Sequence, residues 1–144
     1  MSIKTTVAAK LKTILTDMGS FNLVTFDKIR LLADDFRQHE LPAAQIFDIG
    51  AIHTPRRQYT EVDWELAIEI VMKSDTGGEI SQSDLWDLEH AVKLAIGAKV
   101  SLPDVSGFVH FLYDRTVTDL HLLEPYYTCR IHVIAKFNED YTGC

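Results

Sequence analysis

The sequence is poor in the features that usually give a function away. It has only two cysteines, Cys129 inside a stretch of strand character and Cys144 at the last position, a poor disulfide pair without metal-ligand spacing. Both read as free thiols. Basic residues are outnumbered, 14 Lys and Arg against 21 Asp and Glu, for a formal net charge of -7. Nonspecific binding to nucleic acid or to an anionic membrane needs a basic patch that displaces counterions or meets headgroups, so this balance argues against both. No apolar run approaches the ~20 residues of a membrane-spanning helix. The first lysines are spaced through a periodic pattern rather than placed ahead of an apolar block, and the expectation is a cytosolic product. Internal repeats and low-complexity segments are absent as well.

Motifs of chemistry are equally scarce. There is no G-x-S-x-G elbow, and Gly77-Gly78 lacks the Lys-Ser/Thr that follows a phosphate-cradling loop. Asp34 and Asp35 are adjacent on an expected helix and point about 100° apart, so they do not share a site. Six histidines come without an H-E-x-x-H, H-x-H or cysteine cluster. His110, Asp114 and His132 would converge only if their strands were neighbours, and a small α+β enzyme built on them is the least favoured reading. Glu89-His90 has no second ligand one turn away and reads as solvated surface. No catalytic residue, cofactor or metal is expected.

What the sequence does have is Glu61 to Lys73, EVDWELAIEIVMK. Val62, Trp64, Leu66, Ile68, Ile70 and Met72 alternate with Glu61, Asp63, Glu65, Ala67, Glu69, Val71 and Lys73. Successive side chains of an extended chain point to opposite sides, so this is a strand with one apolar and one acidic face. At about 3.3 Å per residue it spans on the order of 40 Å, against a usual strand of about five to six residues. A strand of that length is expected to leave its own sheet at one end.

The rest arranges itself around this strand. With 144 residues, 47% of them hydrophobic, the chain has the size of a single domain, 1–144, with a polar tail from 138 to 144. Ser2 is a good N-cap for a helix with Ile3, Val7, Leu11, Ile14, Leu15 and Met18 on one face and Gly19 as its stop. An apolar linker (Phe21, Leu23, Val24, Phe26) leads to a shorter helix from Asp27 to Arg37, ended by Leu41-Pro42. Ala43 to His53 is a strand in which Gly50 marks a bulge, joined through Thr54 to Thr60 to the long strand in a β-hairpin. Ser74 to Glu79 is a turn, Ile80 to Asp84 supplies caps, and Leu85, Leu88, Val92, Ala95 and Ile96 stripe a helix closed by Gly97. Phe108 to Tyr113 forms a strand, Asp114 to Thr118 a turn, and Leu120 to Leu123 a weaker strand. Tyr127 to Phe137 alternates as cleanly as the long strand. The expected fold is α+β, a mainly antiparallel sheet with a long β-hairpin and helices packed on one face.

Two patches stand out as candidate interfaces. Arg56, Arg57 and Tyr59 sit at the hairpin tip and belong to residue types that anchor interfaces. Opposite in sign, Glu61, Asp63, Glu65 and Glu69 form a stripe that Arg130 and Lys136 would partly answer if the strands were neighbours.

In order, length and texture the chain resembles the tail terminator (tail completion) proteins of long-tailed bacteriophages. The likeness is carried by the amphipathic N-terminal helix, Leu41-Pro42-Ala43-Ala44 leading into a strand, Arg57 in the hairpin link, Trp64-Glu65-Leu66-Ala67-Ile68-Glu69-Ile70, and the helix from Leu85-Trp86-Asp87-Leu88-Glu89. The chain departs from that pattern in its extra helix at Asp27 to Arg37 and in having two closing strands where one hairpin would suffice. The resemblance implies a virion protein that forms a hexameric ring on the head-proximal end of the tail tube, stops polymerisation, and meets the tail tube protein and the head connector or neck protein. A basic tip and an acidic strand face supply the two different patches a head-to-tail ring needs, and an acidic lumen repels passing DNA. The alternative is a binding module, or a head-closure or neck subunit, that uses the hairpin for strand addition.

Overall fold

A computed structural model describes residues 2–26, 40–73, 78–97, 102, 105–118 and 126–140. In chain order its elements are α1 (Ile3–Asp17), β1 (Leu23–Thr25), β2 (Ala43–Pro55), β3 (Thr60–Lys73), α2 (Gly78–Gly97), β4 (Phe108–Thr118) and β5 (Tyr126–Glu139). The strands form one five-stranded sheet in the order β1-β2-β3-β5-β4. Among the described strands only the β1–β2 pair is parallel; the other pairs are antiparallel. The fold is α+β with a mostly antiparallel mixed sheet. The expected helix at Asp27 to Arg37, the Asp34-Asp35 pair, the strand at Leu120 to Leu123 and most of the turn at Ser74 to Glu79 lie outside the described residues.

α1 begins where Ser2 accepts a hydrogen bond from the Thr5 amide at 3.1 Å, satisfying one of the donors a helix start leaves open. Gly19, at φ 72°, takes the chain out of it. Val7, Leu11 and Leu15 are fully buried. They join one core cluster with Leu85, Val92 and Ile96 of α2, the β3 residues Val62, Trp64, Leu66, Ile68 and Ile70, and Cys129, Ile131, Val133, Ala135 and Phe137 of β5. The apolar faces expected of both long strands are therefore the core faces. Trp64 and Phe137 meet edge to face, 6.5 Å between centroids at 85°, a favoured aromatic geometry.

Four expectations need correction. β3 does not leave its sheet: β5 accompanies it residue for residue from Thr60↔Glu139 to Lys73↔Tyr126, and β2 flanks it up to Pro55↔Thr60. A 14-residue strand is accommodated because its neighbours have 13 and 14 residues. The segment at Leu23 is not a linker but β1, paired Leu23↔Ala43 to Thr25↔Gln45. Asp114 to Thr118 is not a turn; it continues β4, with register shifts at Phe108/His110 and Tyr113/Arg115 that absorb the irregular pattern. Ile80 to Asp84 lies within α2, which starts at Gly78. The bulge expected at Gly50 is present as a register shift between Asp48 and Gly50.

Gly107, at φ 87°, precedes β4. A Cβ there would lie 2.5 Å from the Asn138 carbonyl oxygen, and the Asn138 amide donates to the Gly107 oxygen at 2.8 Å. The entry to β4 is thus pinned on β5.

Candidate functional site

β3 is central in the sheet, so its odd-numbered face is flanked by the matching faces of β2 and β5. The antiparallel register sets Asp63 opposite Lys136, Ala67 opposite His132 and Glu69 opposite Arg130. Each carboxylate of the predicted stripe finds a partner within the chain. Lys136 Nζ is 3.3 Å from Asp63 Oδ1, Arg130 Nη2 is 3.0 Å from Glu69 Oε2, and His132 Nδ1 is 2.9 Å from Glu65 Oε1. Arg56 Nη2 lies 3.2 Å from Glu61 Oε2. The hydrogen bond and the charge of Glu61 both raise the pKa of the Arg56 guanidinium.

These pairs differ in character. Asp63–Lys136 is equally exposed on both sides, and such a pair adds about 0 to 1 kcal/mol to stability. Glu69 and His132 are more enclosed. Glu69 also accepts from Gln45 at 3.4 Å, with Gln45 fully buried, and the Arg130 guanidinium sits 5.8 Å from the Phe47 ring centroid. The His132 side chain is buried and held by the Glu65 carboxylate. The acidic stripe is consequently a laced polar lattice. A second molecule that docked its cations here would have to exchange these contacts.

At the tip, the Arg56 amide donates to the Tyr59 oxygen at 2.8 Å and closes the link between β2 and β3. Arg56, Arg57 and Tyr59 are exposed. Arg57 has no hydrogen-bond or ion-pair partner among the described residues. Ile52, 70% exposed, stands on the same arm.

Of the residues in the histidine reading, Asp114 falls in the register shift beside His132, whereas the two histidines are kept apart. β4 and β5 are neighbours, but His110 lies opposite Lys136 and His132 opposite Arg115, four residues apart along β5, or about 13 Å. Among the described residues no group of three or more His, Cys, Asp or Glu is placed to hold a metal ion. Glu89 is not solvated surface. It accepts from Lys93 at 2.8 Å and from Thr116 at 2.7 Å, joining α2 to β4. Burial alone would raise the Glu89 carboxyl, but the hydrogen bonds from Lys93 and Thr116 outweigh it and hold the group below its ordinary value. Burial also pushes the Cys129 thiol up to about 12, with the Glu89 charge adding to the effect, which leaves it an inert core residue rather than a nucleophile.

One feature has no counterpart in the sequence reading. A cleft of about 400 Å³ opens between α1 and the sheet, lined by Lys4, Thr5, Ala8, Ala9 and Lys12 together with Phe26, Asp48 and Trp64. The Trp64 indole N–H donates to Asp48 Oδ1 at 2.9 Å, and the Lys4 ammonium lies 5.2 Å from the centroid of the Trp64 ring. No helix among the described residues is long and apolar enough to cross a membrane. Compared with known proteins, the chain matches no family model and no curated protein sequence.

Proposed function

We propose that this chain is a structural assembly protein of the phage tail terminator kind, whose copies join head to tail in a hexameric ring that caps a tail tube at its head-proximal end. In this reading it is an assembly protein and not an enzyme. In this reading the helices among the described residues pack on one face of the sheet, and the hairpin tip with the half-exposed Glu61 and Asp63 beside it is left for neighbouring subunits, the tail tube protein and the head connector or neck protein. The observation that carries the reading is the tip. Three strands of 13, 14 and 14 residues end there together, so Arg57 and Tyr59 are presented on a stiff support rather than on a floppy arm. An unpaired, exposed cation in a chain of net charge -7 has complementary surface to find on a second copy. Heterologous contacts of this sort close into rings when the rotation between copies permits.

Negative-stain imaging and sedimentation of the purified protein, alone and mixed with tail tubes, test the proposal. Rings, or caps at one tube end, are the expected result; a monomer that ignores tubes at high concentration would end it. A second reading, a module that takes an added peptide strand, is favoured by β4. It is the last strand of the sheet, and Val109, Leu112, Tyr113 and Val117 on it are all at least 40% exposed. Protection of β4 amides from exchange by a strand-forming peptide, with no ring formed, would select that reading.

A further inference from the structure

We infer that the cleft between α1 and the sheet is a binding site for an extended acidic peptide. This inference does not depend on ring assembly. The wall contributed by α1 consists of residues 4, 5, 8, 9 and 12, one continuous strip of helix surface. Its two ends are ammonium groups and its middle is alanine. Ala8 and Ala9 offer nothing beyond Cβ, so a ligand main chain can approach the helix closely between the two cations.

The polarity of the walls selects the ligand. Lys12 has no carboxylate partner among the described residues, and the Lys4 ammonium is held over an indole ring rather than by an anion. Among the described residues Asp48 is the one carboxylate on the wall, and its Oδ1 already accepts from the Trp64 indole. Its remaining lone pairs suit a peptide N–H. Two cations against one engaged carboxylate among the described residues, in a chain of net charge -7, make this lining locally positive.

Spacing narrows the class further. Lys4 and Lys12 are eight helical residues apart, about 12 Å along the axis. A single phosphate would meet both cations only if the two side chains folded toward each other, drawing Lys4 off the Trp64 ring. In an extended peptide, carboxylates four residues apart are about 13 Å apart. The cleft therefore fits a strand-like segment with an acidic residue at each end of a five-residue stretch and small residues between. Its volume lies within the range of specific ligand sites, about 300 to 1,000 Å³. A polynucleotide is disfavoured because the rest of the chain repels it.

The test uses the full chain carrying Trp86→Phe, which leaves Trp64 as the only tryptophan of the two. The probe is a pentapeptide, acetylated and amidated, with glutamate at its first and last positions and alanine between, too short to form a helix in water. Saturable change in Trp64 emission, accompanied by shifts of the Ala8 and Ala9 amide resonances, is expected. Binding should weaken with added salt, and about tenfold or more in Lys12→Glu or when glutamine replaces glutamate in the peptide. Lys12 is exposed, so Lys12→Glu should melt at the parent temperature. The inference fails if neither signal saturates, if the glutamine peptide binds equally well, if Lys12→Glu binds like the parent, or if inorganic phosphate alone gives the same response.

Discussion

The indole N–H of Trp64 donates to Asp48 Oδ1 at 2.9 Å across the β2–β3 pair. Trp64 is only 2% exposed, whereas Asp48 is open to solvent at the rim of the cleft. The carboxylate thus serves a buried donor that would otherwise have to find water. Asp48→Asn keeps an acceptor in place and should change the urea midpoint little. Asp48→Leu removes the acceptor and should cost about 1 to 2 kcal/mol, the penalty of stranding a buried donor. Equal effects of the two substitutions would show that water replaces the carboxylate freely.

Gly107 makes a backbone prediction of a different kind. Its φ of 87° disfavours any L side chain, and a Cβ there would lie only 2.5 Å from the Asn138 carbonyl oxygen. Because the clash is with backbone, rotamer changes cannot relieve it. Gly107→Ala should destabilise by about 1 to 3 kcal/mol, seen as a lower thermal midpoint. Amide exchange should speed up first at Phe108 and Asn138, where β4 is pinned to β5. Unchanged exchange at those two amides would refute this account.

Glu89 ties stability to pH. Its folded-state pKa is depressed, with burial opposing and the Lys93 and Thr116 hydrogen bonds prevailing. A depressed carboxylate contributes stability that is fully present above the unfolded value of ~4.3 and is lost as pH falls through the folded value. The wild type should therefore lose stability more steeply below about pH 4.3 than Glu89→Gln does. Denaturant midpoints measured every half unit from pH 7 to pH 3 would reveal it. Parallel curves for the two proteins would place the acid sensitivity elsewhere.

How much of this was legible beforehand depends on what carried each signal. Strands β3 and β5 were legible because burial on one face writes a period of two into the sequence, from Val62 to Met72 and from Tyr127 to Phe137. β4 was legible only to Tyr113, since beyond it every side chain is exposed and an edge strand has no buried face to impose alternation. Asp114 to Thr118 therefore resembled a turn. Ser81, Ser83 and Asp84 have the chemistry of caps and point to a later start for α2, yet the helix runs through them from Gly78. The salt bridges were the least legible. Glu69 and Arg130 are 61 residues apart in sequence, and only the strand order makes them neighbours. The same holds for the cleft, since Lys4 and Asp48 are joined by packing and by no pattern in either segment.

Arg56 and Arg57 separate the needs of the fold from those of assembly. Arg56 already pairs with Glu61 at 3.2 Å, both groups remaining well exposed, while Arg57 is exposed and unpaired among the described residues. Arg56→Glu would set two carboxylates against each other at the tip, so any loss of assembly it causes is mixed with local repulsion. Arg57→Glu breaks no hydrogen bond or ion pair among the described residues. It should leave the melting temperature of the monomer unchanged while raising the protein concentration for half-maximal ring formation or tube capping more than tenfold, because a reversed charge meets the carboxylates that arginine is proposed to engage. The double change Arg56→Glu with Arg57→Glu should abolish assembly with the monomer still folded. Sedimentation velocity across a concentration series, with melting curves on the same samples, reads both quantities at once. If Arg57→Glu assembles like the parent, the tip is a solvated loop and the subunit contact must be sought elsewhere, with the β4 edge next in line. If instead the monomer melts lower and rings persist, the arginines serve their own fold.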